Sequence, residues 1–146
     1  MRITGNGTLS MGLFLLACLE TANLANAQIV NQVEATISHS FIISTKTLPP
    51  GKYTFQIQQD SNNTVMAVTS ADGKNSDEFL VRDSQAQNTP AHTQLIFRRY
   101  GNLEFLSKIF VAGNKLGVAV SEPSKQEKEL QAQGKQPTEH AEGGGR

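Results

Sequence analysis

The stretch Gln94 to Val111, QLIFRRYGNLEFLSKIFV, constrains the fold more than any other part of this chain. Two apolar-rich runs flank Tyr100-Gly101-Asn102, where glycine and asparagine tolerate the positive φ of a tight turn, so the segment reads as a β-hairpin. Two registers compete. A two-residue loop at Gly101-Asn102 sets Arg99 opposite Glu104 and Phe97 opposite Leu106. A three-residue loop from Tyr100 sets Phe97 opposite Phe105 and Arg98 opposite Glu104, and stacks Leu95, Phe97, Leu103, Phe105 and Ile109 on one face. Cross-strand pairs contribute roughly 0.2–1 kcal/mol in either arrangement. A one-residue slip exchanges a strand's faces, so burial decides between them. The continuous apolar face favours the three-residue loop.

A hairpin of this kind needs further strands, and the rest of the chain supplies them at short intervals. Val33, Ala35 and Ile37 alternate with Glu34, Thr36 and Ser38, and Phe41-Ile42-Ile43 is an apolar run suited to a strand covered on both sides or to a bulge. Pro50-Gly51 fits a type II turn. Tyr53, Phe55 and Ile57 alternate with polar residues as a half-buried antiparallel strand does. Asp60 to Asn63 is a turn, Thr64 to Thr69 a strand, and Asp72-Gly73 a hairpin signal. Asn62-Asn63-Thr64 matches the glycosylation sequon. Glu78 to Arg82 and Leu116 to Val120 read as short strands, with a polar loop at Asp83 to Thr93. Turn signals every 8–12 residues predict an all-β fold, an antiparallel sandwich or small partly open barrel of about seven strands.

The end of the chain changes character. Ser124 and Glu127 fit an S-x-x-E capping box, in which the serine oxygen takes the glutamate N–H and the glutamate reaches back to the serine N–H. A short C-terminal helix is expected from Lys125 to about Gln133, closed by Gly134. Leu130 and Ala132 are its apolar content, and a lone helix of that length is marginal in water. The polar segment beyond it is expected to be disordered.

At the other end, Arg2, the apolar run Leu9 to Leu19 and Ala25-Asn26-Ala27 succeed one another as in a secretory signal peptide cut before Gln28. The apolar run is shorter than the ~20 residues a membrane-spanning helix needs. The alternative is a loose lipobox ending at Cys18, which would anchor the chain by lipid. Cut after Ala27, the chain keeps no cysteine, so it would form no disulfide even in an oxidising compartment. The organisation read from the sequence is therefore a signal peptide over 1–27, a β domain over 28–122, a helix over 123–134 and a disordered tail over 135–146. The expected location is the bacterial periplasm, or secretion.

In 146 residues, 13 basic side chains balance 13 acidic ones. Nucleic acid, which needs a basic surface to release counterions, is an unsuitable partner. Arg98-Arg99 is the sole basic pair in the β region, and it reads as a solvated strand edge. No H-x-x-x-H, C-x-x-C, Walker or Rossmann pattern occurs, and no serine sits in a G-x-S-x-G elbow. His39 reads as a strand-surface residue, His92 as a loop residue and His140 as an inert tail residue. No catalytic, cofactor-binding or metal-ligating residue is assigned, no cofactor is implied, and an enzyme is the disfavoured class. The leading expectation is a non-catalytic exported β domain, associated with the periplasm or cell envelope, that binds a partner protein or supports the envelope. The alternative is a small-ligand or glycan-binding module. Glycan sites present stacking rings, and with no Trp the supply is Tyr53 and Tyr100.

Three segments carry a resemblance. Lys46 to Tyr53 resembles a K-T-L-P-A-G-x-Y turn. Leu95 to Gly101 with Phe105-Leu106-Ser107 resembles an L-V-F-H-R-Y-G…F-L-S hairpin, and Pro123 to Leu130 a P-x-S-K-x-E-x-E-L helix. Together they are similar to a group of small uncharacterised secreted proteins of acidobacterial-type soil bacteria, over about Val33 to Leu130. Arg98 stands where that pattern has histidine, and Val118-Ala119-Val120 where it has an arginine-glutamate-leucine run. The resemblance implies a shared fold and transfers no activity.

Overall fold

The computed structural model describes residues 32–60 and 63–143. The signal-peptide reading, the Cys18 alternative and the tip of the Asp60–Asn63 turn lie outside the described residues. Eleven elements follow in order: β1 Gln32–Ile37, β2 Phe41–Ile43, β3 Lys46–Leu48, β4 Gly51–Asp60, β5 Asn63–Ser70, β6 Ser76–Gln85, β7 Gln94–Tyr100, β8 Leu103–Phe110, β9 Leu116–Val120, α1 Lys125–Ala132 and β10 Thr138–Gly143. The protein is mostly β, as its turn spacing predicts, with ten strands in one sheet rather than about seven. That sheet is not closed into a barrel. No described helix is long and apolar enough to cross a membrane.

The sheet runs β1-β4-β5-β6-β9-β8, antiparallel throughout. Antiparallel β7 covers the whole of one side of β8. The other side is shared: β9 pairs with Lys108 to Phe110, while β2 meets Phe105 in parallel and carries β3 beyond it. The chain passes from β1 at one end of the sheet to β2 at the other through Ser38-His39-Ser40, and returns from β3 to β4 through Pro49-Pro50. These crossings curl the sheet on itself. Pro50-Gly51 is thus a corner between distant strands rather than a hairpin turn, and Tyr53 ties it by donating from its hydroxyl to the Pro49 carbonyl at 2.5 Å. Burial, and next the Asp72 carboxylate, push the Tyr53 phenol above its usual range. Asp72 in the β5–β6 turn is held below the usual carboxylate range, first by the Ser70 hydroxyl and then by the Lys74 N–H.

Inside the curl lies one apolar core. Val33, Ala35 and Ile37 of β1, Tyr53 and Phe55 of β4, Met66 and Val68 of β5, and Phe79 and Val81 of β6 enter it at alternate positions, as their period of two requires. Leu95 and Phe97 of β7, with Leu106 and Ile109 of β8, close it from the hairpin side. β2 is buried throughout: Phe41 and Ile43 join this core, and Ile42 joins a second cluster with Tyr100 and Phe105 on the opposite face. Leu130 of α1 packs on that second cluster.

The hairpin adopts the other register. Arg99 pairs with Glu104 and Phe97 with Leu106 around the loop Gly101-Asn102. Of the loop's two residues only Gly101 has positive φ, 62°. The three-residue loop is favoured by the sequence only if alternation is unbroken along β8. It is broken: Ile96 pairs with Lys108 and Phe97 with Leu106, so a β-bulge at Ser107 switches the strand's faces. Leu106 and Ile109 therefore both reach the main core, and Phe105 points the other way, beneath α1. A strand covered on both faces has no single apolar face to read.

The two ends of α1 differ in how they match expectation. Ser124 caps it, accepting from the Glu127 N–H at 3.1 Å. The Glu127 carboxylate does not complete the box but turns inward to Arg98. At the far end Gly134, with φ 77°, donates to the Gln131 carbonyl and Lys135 to that of Leu130, the two bonds of a Schellman motif.

The tail is the largest correction. Thr138–Gly143 is not disordered: it forms β10, antiparallel to β7, with His140 opposite Phe97 and Glu142 opposite Leu95. Its sequence, TEHAEG, has no large apolar residue, so hydrophobic periodicity carries no signal there. Backbone pairing with an otherwise uncovered strand edge supplies the order instead.

Candidate functional site

Among the described residues, two places combine shape with unspent chemistry. The first follows from the fork at β8, where β9 and β2 diverge. A groove of about 490 Å³ opens there, lined by Val65, Phe79, Leu80, Val120, Pro123 and the first residue of α1, among others. Val65 and Leu80 are cross-strand partners, and Leu80, on the outward parity of β6, is half-exposed. Glu78, Glu122 and Lys125 also line it. The linker is pinned beside it, because Ser121 donates its N–H to the Leu80 carbonyl at 2.9 Å.

Position of the groove depends on how α1 is held. Arg98 presents a fork to Glu127, with Nε to Oε1 at 2.5 Å and Nη2 to Oε2 at 3.0 Å, and its Nη1 donates to the Ser107 hydroxyl at 2.8 Å. Tyr100 donates to Glu127 Oε1 at 3.2 Å and accepts from Gln131 at 3.1 Å. Glu127 is only 1 % exposed. Its charge is out of water, and the bidentate guanidinium with the phenol offsets that desolvation. The bulge that shifts the register also places Ser107 in this network.

The second place is the seam where the ends of the curled sheet approach. Ser38, just past β1, donates its N–H to Glu142 Oε2 at 3.2 Å and its hydroxyl to Oε1 of the same carboxylate. His39 stands edge-on to Phe97, and the centroids of the His39 and His140 rings lie 5.2 Å apart. His39 Nε2 is buried, makes no hydrogen bond, and lies 3.4 Å from Glu142 Oε1. Its Nδ1 lies 3.1 Å from the Ser40 carbonyl. His140 Nδ1 is 3.2 Å from Glu104 Oε1 and 3.0 Å from Arg99 Nη2. Glu104 is 4 % exposed; Arg99 Nε donates to its Oε1, and its Oε2 has no partner.

Several sequence readings change here. Arg98 and Arg99 are not a solvated edge; each meets a buried carboxylate. His39 and His140, read separately as surface and tail residues, face one another. His39 has no metal-spacing neighbour in the sequence, and His140 has Glu142 two residues on along the same strand face, so only the tertiary fold brings the two histidines together. Every Phe and Tyr among the described residues is buried, including Tyr53 and Tyr100, which removes the two rings a glycan would stack on. Comparison of the chain with protein-family models, with curated proteins and with solved structures finds no match in any of the three.

Proposed function

We propose that this is an exported, non-catalytic β domain of the bacterial periplasm or envelope that binds a protein partner through the groove between β5, β6 and α1. The observation that carries this reading is Leu80, 50 % exposed beside an apolar floor that the fold leaves uncovered. Burying the exposed half of Leu80 would contribute about half of the ~1.5–3 kcal/mol of a fully buried leucine. The groove is open and mostly apolar, with Glu78, Glu122 and Lys125 among its lining residues, so an extended apolar segment of a partner chain fits it better than a small molecule that needs enclosure. The buried tyrosines count against a glycan. Export rests on the order of Arg2, the apolar run and Ala25-Asn26-Ala27.

A photo-crosslinking residue placed at Leu80 in intact native cells tests this, with the same probe at exposed Lys135 as control. The expected result is one defined protein adduct at Leu80, absent at Lys135 and lost when Val65→Asp is added. Equal labelling at both positions, or an adduct indifferent to Val65→Asp, would overturn it.

A further inference from the structure

We propose that His39, His140 and Glu142 form a binding site for one divalent transition-metal ion of the zinc class, set at the seam between the β1–β2 corner and β10. The ligand atoms these residues can offer all lie within 4.8 Å of one another. Zinc bonds of about 2.0–2.2 Å place neighbouring ligands of a tetrahedron about 3.3–3.6 Å apart. The 3.4 Å between His39 Nε2 and Glu142 Oε1 already has that spacing. The third atom, on His140, lies within 4.8 Å of the other two. Two imidazoles and a carboxylate suit zinc, cobalt or nickel, and three protein ligands leave one position for water.

The surroundings do more than collect donors. A metal-bound histidine ordinarily gives its other ring N–H to a carbonyl or carboxylate, which fixes tautomer and orientation. Both histidines here have that acceptor. His39 Nδ1 faces the Ser40 carbonyl, and His140 Nδ1 faces Glu104, a buried carboxylate with one oxygen unpartnered. This leaves Nε2 of each ring for the ion. Arg99 Nη2 beside His140 Nδ1 favours the opposite tautomer, in which Nδ1 accepts. A metal on Nε2 selects the tautomer that donates to Glu104, and Arg99 keeps its bond to that carboxylate through Nε. His39 Nε2 is buried without a hydrogen bond, 3.4 Å from the Glu142 carboxylate, and burial of an unpaired imidazole nitrogen is a cost that an ion between the two would relieve. The site shares no residue with the groove. By joining the β1–β2 corner to β10 it would staple the C-terminal strand to the far end of the sheet.

Titration of the untagged full chain with zinc chloride, followed by calorimetry, tests this. One equivalent should bind, and cobalt(II) should give the visible absorption of a four- or five-coordinate site. Glu104→Gln, which touches no ion, should weaken zinc about 10–100-fold, as loss of an orienting carboxylate does. His92→Ala should leave affinity unchanged. The proposal is overturned if wild type binds no better than the His39→Ala/His140→Ala variant. Should that variant not fold, imidazole NMR signals of the wild type decide: zinc should move those of His39 and His140 and not His92, and uniform or absent shifts would overturn the site.

Discussion

Adjacent residues on a strand face opposite ways, and Arg98 and Arg99 show how much follows from that. Arg98 faces α1 and holds Glu127; Arg99 faces the seam and holds Glu104. Neither fate is written in the dipeptide, because each depends on which acid the fold brings across. The Arg98–Glu127 pair is the costlier to break. Arg98→Met should destabilise by about 3 kcal/mol, because it strands a buried carboxylate, while Arg98→Met/Glu127→Met should regain most of that loss. Denaturant unfolding measures both, and a single variant as stable as wild type would mean the pair carries no net stability. A basic pair that reads as a solvated edge is instead structural. The capping serine was legible at Ser124, since its role needs only the N–H three residues on. The inward turn of Glu127 was not, since its partner lies on β7.

Among the elements, those with a period and a local stop are the ones sequence reasoning places. β1 and β4 keep strict alternation and face the core as their parity demands. The β5–β6 turn and the Gly134 helix end occur where Asp-Gly and Gly mark them. The β7–β8 hairpin is placed correctly and registered by the bulge, which no local signal announces. Its loop yields a clear test. Gly101 has φ 62°, and a Cβ built there would touch nothing within 4 Å, so the penalty of substitution is conformational rather than steric crowding by neighbours. Gly101→Val should therefore lower stability by more than the ~1 kcal/mol of an ordinary substitution. A variant with an unchanged unfolding midpoint would place the positive φ elsewhere in the loop.

For the molecule as a whole, β10 decides how the curled sheet ends. It covers the edge of β7, and Ser38 bonds its Glu142, so the last strand joins the β7–β8 hairpin to the end of β1. Deleting 137–146 should lower the melting temperature by at least about 4 °C, the scale of ~1 kcal/mol in a domain of this size. It should also promote association through the uncovered edge, visible in size-exclusion chromatography. A truncated chain that melts like the full one and stays monomeric would show β10 to be marginal.

What this sequence determined by itself is what short-range physics can carry. Alternating apolar residues bury one face of a strand, glycines accept left-handed turns, a serine caps a helix, and together they make an all-β chain with one terminal helix. Tertiary structure decided everything that joins distant residues: the bulged register, the Arg98–Glu127 lock, the ordering of a polar tail and the meeting of His39, His140 and Glu142. The reason is the same in each case. Those energies come from desolvated charges and from backbone pairing with a particular edge, and both exist only once the sheet has curled to bring the partners together.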